Sequence, residues 1–81
     1  MSKPLEERKY LTLLKLVDWS LEKGGVDYNL IDEKGHFLCA IKILHAKGKK
    51  REVSASSIRK TELEFKERGW IWPPKKKLKN T

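Results

Sequence analysis

The run His36-Phe37-Leu38-Cys39-Ala40-Ile41-Lys42-Ile43-Leu44 is apolar on both of its alternating faces. In an extended chain successive side chains point to opposite sides, so Phe37, Cys39, Ile41 and Ile43 share one face and Leu38, Ala40 and Leu44 the other. A strand with apolar residues on both faces has to be covered on both, which predicts the central strand of a sheet. The flanking segments supply its neighbours. Before it, Val26, Tyr28 and Leu30 alternate with Asp27 and Asn29, the pattern of a half-buried strand, and Asp32-Glu33-Lys34-Gly35 reads as a hairpin turn. After it, Ala46-Lys47-Gly48-Lys49 makes a second turn into a short third strand at Arg51–Ser54, whose like charges discourage stray edge pairing.

Two helices are expected around this sheet. Pro4 suits a first helical turn, Glu6 and Glu7 complement the helix dipole, and Tyr10, Leu13, Leu14, Val17 and Leu21 recur at helical spacing. Lys23-Gly24-Gly25 then looks like a helix stop, so the pattern predicts a helix over 4–23. Leu5, Leu16 and Trp19 fall outside that stripe, and a helix apolar on two sides either is unusually buried for so small a protein or offers a second surface to a homodimer or protein partner. Ser54, Ser56 and Ser57 are candidate N-caps for a second helix that runs to about Arg68 and closes at Gly69. Trp70-Ile71-Trp72 is extended, and Pro73-Pro74 blocks any helical continuation.

The expected fold is therefore α+β in the order α-β-β-β-α: a three-stranded antiparallel sheet packed against two helices, with a flexible basic C-terminal tail. Residues 1–74 form a single domain and 75–81 the tail. A chain of 81 residues lies near the lower end of what one core can stabilise unaided. The lone cysteine, Cys39, sits in the apolar run and has no intrachain partner, which suits a reducing compartment. Met1–Arg8 has no signal-peptide core, and no stretch approaches the roughly 20 apolar residues that span a bilayer, so a cytoplasmic location and no membrane contact are expected.

Charge points to the partner. Residues 1–46 balance seven basic against seven acidic side chains, whereas the twelve basic and four acidic residues of 47–81 carry the whole net charge of +8. A neutral half joined to a strongly basic half is the electrostatic footprint of a nucleic-acid binder. The loop with Lys47, Lys49, Lys50 and Arg51 either straddles a phosphate backbone, with Arg59 and Lys60 at the start of the second helix extending it into one basic surface, or is a solvated turn whose lysines guard a sheet edge. Phosphate can also use the free amides at that helix's amino end. Lys75, Lys76, Lys77 and Lys79 of the tail add non-specific attraction, or act only as a solubilising end. Trp70 and Trp72 face the same way in an extended segment; they either stack on unpaired bases or cover the open end of a small core.

Catalytic chemistry has little to stand on. His36 follows Gly35 at the hairpin, where an imidazole can move a proton at a ribose hydroxyl, and His45 ends the next strand. No third ligand with metal-site spacing accompanies them, and there is no glycine-rich phosphate loop, so neither a metal nor a cofactor is expected.

The α-β-β-β-α order, with basic residues on the third strand and second helix, resembles the double-stranded-RNA-binding-domain fold. Within it the chain is similar to the HicA-type toxins, small RNA-cleaving partners of bacterial toxin–antitoxin pairs. The resemblance covers about residues 12–70 and rests on Leu21-Glu22-Lys23-Gly24-Gly25, Lys34-Gly35-His36 and His45-Ala46-Lys47-Gly48-Lys49. It implies that His36 is catalytic and the activity that of a ribonuclease, although Ser54-Ala55-Ser56-Ser57 replaces the family's Leu-Pro-x-Gly-Thr entry to the final helix. Tyr28–Arg68 also resembles the arm-binding domain of phage-type integrases, which packs three strands against one helix and reads DNA with the sheet. Three functions are thus in view: a small basic module that contacts nucleic-acid phosphates (DNA or RNA) without catalysis, a HicA-like ribonuclease, and a protein-interaction subunit that oligomerises through its first helix.

Overall fold

The computed structural model describes residues 3–45, 48 and 50–77. The class is α+β, built from two helices and two small antiparallel three-stranded sheets. In chain order the elements are β1 (Leu5–Glu6), α1 (Glu7–Lys15), β2 (Ser20–Lys23), β3 (Tyr28–Ile31), β4 (Phe37–Ile41), β5 (Ile43–Leu44), β6 (Glu52–Val53) and α2 (Ala55–Glu67). One sheet has the order β2-β3-β4, the other β1-β6-β5.

The first helix is shorter than its apolar stripe suggests. Instead of 4–23, α1 ends at Lys15, and the chain turns through Asp18, the only described non-glycine residue with a positive φ (59°). There the amide of Trp19 donates to the Leu14 carbonyl and that of Asp18 to the Lys15 carbonyl, the paired bonds of a Schellman cap. Asp18 thus does the work expected of a glycine, because aspartate tolerates the left-handed conformation better than most residues. Beyond it, Ser20–Lys23 is a strand whose Leu21 stands opposite Leu30. Leu21 fits the helical period and also the alternation of Trp19 and Leu21 with Ser20 and Glu22; pairing with β3 decides between them. Gly24 belongs to the β2–β3 turn, where its amide bonds the Asp27 carbonyl so closely that a Cβ would lie 2.8 Å from that oxygen.

The apolar run is also divided. The backbone of Lys42 is diverted to the second helix: its amide donates to Ser57 Oγ (2.7 Å) and its carbonyl accepts from the Ser54 amide (2.9 Å). This breaks the expected strand into β4, at the edge of one sheet, and β5, at the edge of the other. The two apolar faces thus reflect a kinked ribbon, with β3 along its first half and β6 along its second, rather than one strand flanked on both sides. Between Leu30 and Ile31 the β3–β4 register slips by one residue, so that Ile31 pairs with Phe37 and Leu30 with Cys39.

The second helix follows its sequence signals. Ser54 is the N-cap and accepts from the Ser57 amide; at the other end, Gly69 (φ +76°) and Trp70 donate to the Lys66 and Phe65 carbonyls. The core gathers Tyr10, Leu14, Val17, Trp19, Leu30, Ile41, Val53, Ile58 and Phe65. Phe65 stands at its centre against Trp19, Trp70 and Trp72, with ring centroids 4.9, 5.5 and 5.0 Å away, each contact worth about 1 kcal/mol beyond the area it buries. Tyr10, fully buried, bonds Thr61 Oγ1 at 2.7 Å and ties α1 to α2. Burial holds its phenol above the ordinary value of 10.0, against the opposing Thr61 hydrogen bond. No helix of the described residues is long and apolar enough to cross a membrane.

Candidate nucleic-acid interface

Two of the cations expected to form the basic surface, Lys50 and Arg51, have carboxylate partners among the described residues. Lys47, Lys49 and Lys79 lie outside them. Lys50 is exposed, with Nζ 3.7 Å from Glu6 Oε1. Arg51 is engaged on two sides: Nη2 lies 3.0 Å from Glu7 Oε2 and donates to the Tyr28 hydroxyl, while its guanidinium carbon sits 5.8 Å from the centroid of the Tyr28 ring. Its Nε is buried without a hydrogen-bond partner. The strand pairing accounts for this clamp: Glu6 stands opposite Glu52, the Glu7 amide donates to the Arg51 carbonyl, and the acidic start of α1 therefore lies beside the basic loop. Glu6, the N-cap of α1, and Glu7, in its first turn, thus also partner two of the loop's cations.

Arg59 and Lys60 are both exposed, but they serve different sides of α2. Arg59 lines a depression with Leu63, Lys66, Trp70, Ile71 and Trp72, because residues four and seven positions on share its helical face. Lys60, one residue on, lies with Glu64 toward β4, where both charges act on Cys39. Burial, then the Glu64 charge, pushes the half-buried Cys39 thiol upward, with Lys60 opposing. At the amino end of α2, Ser54 Oγ accepts from the Ser57 amide and donates to Ser57 Oγ (2.9 Å), and both residues are buried. Lys75, Lys76 and Lys77 are exposed and follow Pro74, which is buried.

The remaining candidates fall elsewhere. His36 is exposed at the β3–β4 turn, with Nδ1 3.9 Å from Asp32 Oδ2, beyond hydrogen-bond reach. Asp32 is pinned from below: its Oδ1 accepts from the amides of Lys34 (2.9 Å) and His36 (2.8 Å). Burial alone would raise its carboxyl, but those two bonds and the charges of His36 and Arg68 leave it below its ordinary 3.8. Among the described residues no other acid or base contacts His36, and no group of three His, Cys, Asp or Glu could hold a metal. His45 is exposed after β5.

The surface expected of Leu5, Leu16 and Trp19 does not form on a two-sided helix, because the helix ends before Leu16. Trp19 is buried: its Nε1 donates to Glu33 Oε2 (2.7 Å), and Arg68 stacks over its ring at 5.0 Å. Leu5 and Leu16 are half-buried, and Leu5 packs against the core from β1. Trp70 and Trp72 cover the end of the core through Phe65, as one of their two sequence readings had it, and Trp72 also meets Tyr10. Trp72 nevertheless borders the Arg59 depression. Leu63, Lys66 and Ile71 line the same depression as Arg59, and the spacing Arg59, Leu63, Lys66 on one helical face is the sequence signal that places the first two there. No family model matches the chain, and no curated protein or solved structure is significantly similar to it.

Proposed function

We propose that this chain is a small basic nucleic-acid-binding module that contacts phosphates without catalysis. The observation that carries the reading is the set of exposed cations without a carboxylate within 4.0 Å among the described residues: Lys3, Arg8, Lys9, Lys15, Lys23, Lys34, Lys42, Arg59, Lys60, Lys66 and Lys75–Lys77. An unpaired exposed cation is free to replace a counterion on a phosphate, and each such contact steepens the loss of affinity with salt.

The test is fluorescence anisotropy with labelled DNA and RNA across a salt series. Affinity should fall linearly in log–log form, and alanine at Lys75, Lys76 and Lys77 together should flatten the slope by about 2 to 3. Absence of binding to every DNA and RNA probe at about 50 mM salt would refute the proposal.

A further inference from the structure

Trp72 separates two adjoining depressions. On one side a hollow of about 310 Å³ between α1, α2 and the C-terminal segment is lined by Lys3, Lys9, Leu13, Ile58 and Pro73. On the other lies the hollow of about 450 Å³ that holds Arg59, Leu63, Lys66 and Ile71. Trp72 and Glu62 border both. Four cations therefore flank one indole, against a single carboxylate, and none of the four has an ion-pair partner among the described residues. The furrow also keeps apolar surface open to solvent: Ile71 is 82% exposed and Leu63 50%.

We infer that this furrow seats an unpaired stretch of nucleic acid. The inference rests on the nucleic-acid reading above and narrows it to single strands. Unstacked bases present flat apolar faces that suit Trp72, Leu63 and Ile71, while the phosphates between them suit Lys3, Lys9, Arg59 and Lys66. In a duplex those faces are stacked away, so only the cations would be used. An acidic peptide would satisfy the cations but carries no regular series of flat faces for the apolar residues between them.

The experiment measures anisotropy of labelled oligouridine and oligothymidine of about twelve nucleotides, and of a duplex of similar length. The intact protein should prefer the single strands. Ile71→Glu, and separately Arg59→Glu with Lys66→Glu, should each weaken single-strand binding about tenfold or more. Ile71→Ser, which removes the apolar contact without adding charge beside Arg59 and Lys66, should weaken single-strand binding and leave duplex binding nearly unchanged. Ile71 is exposed enough for its variants to stay folded, which circular dichroism checks. If the variants bind single strands as tightly as the intact protein, the furrow is refuted while the broader nucleic-acid reading stands. Displacement of oligouridine by polyglutamate at matched charge would refute it in favour of an acidic peptide. Failure of the intact protein to bind any oligonucleotide would end both readings.

Discussion

Replacing Arg51 with alanine separates a phosphate contact from a structural clamp. The ion pair with Glu7 spans 3.0 Å between side chains 38% and 23% exposed, so screening holds it to about 0.5 kcal/mol. The hydrogen bond to the Tyr28 hydroxyl adds about 1 kcal/mol, and the guanidinium over the Tyr28 ring about 0.5. Loss of the buried, unpartnered Nε offsets a fraction of this. The net cost is about 1–2 kcal/mol, which in a domain of this size lowers the melting temperature by roughly 5–12 °C. Urea denaturation followed by tryptophan fluorescence reads the loss directly. Part of the difference should shrink at high salt, because the Glu7 pair is screened there. Lys50→Ala is the control: its pair with Glu6 is long and its side chain 78% exposed, so stability should not change. The reasoning fails if Arg51→Ala leaves stability intact and instead reduces the salt slope of nucleic-acid binding by about 0.9.

Two further outcomes follow from the turns. Asp18→Gly should stabilise the protein by about 0.5–1 kcal/mol, since glycine adopts φ 59° without the Cβ penalty; thermal melting checks it, and a loss of stability would mean that the Asp18 side chain does more than cap α1. The Asp32 carboxyl titrates below its ordinary 3.8 in the folded state, so the stability it contributes is complete above that value and is lost as pH falls through the lower, folded one. Asp32→Asn keeps an oxygen for the Lys34 and His36 amides but does not titrate, so its denaturation midpoint should fall less between neutral pH and about pH 2; equally steep acid limbs would rule Asp32 out as a contributor.

Where local chemistry decides, the sequence was legible. Ser54 and Gly69 bracket α2 because a side-chain oxygen before the first turn and a left-handed residue after the last are satisfied within a few residues. The Asp32–Gly35 turn is legible for the same reason: the Gly35 amide returns to the Asp32 carbonyl (3.0 Å) and the Asp32 carboxylate takes two amides of its own turn. Arg59 was recognised as a site candidate from charge, but its companions Leu63, Lys66 and Ile71 were not, because charge runs along the chain ignore which helical face a residue occupies.

The sequence by itself determined the α+β class, the second helix, the hairpin and the asymmetry of charge. Tertiary structure decided where α1 ends, that Ser20–Lys23 is a strand, that the apolar run kinks at Lys42, and which cations are free. The first two turn on a segment that satisfies either the helical or the strand period, so pairing with Leu30, 9 residues beyond Leu21, decides them; the kink depends on Ser57, 15 residues beyond Lys42. The last depends on Glu6 and Glu7, brought to the basic loop only when β1 pairs with β6. Net charge is additive along a chain; the partnering of each charge is a property of the fold.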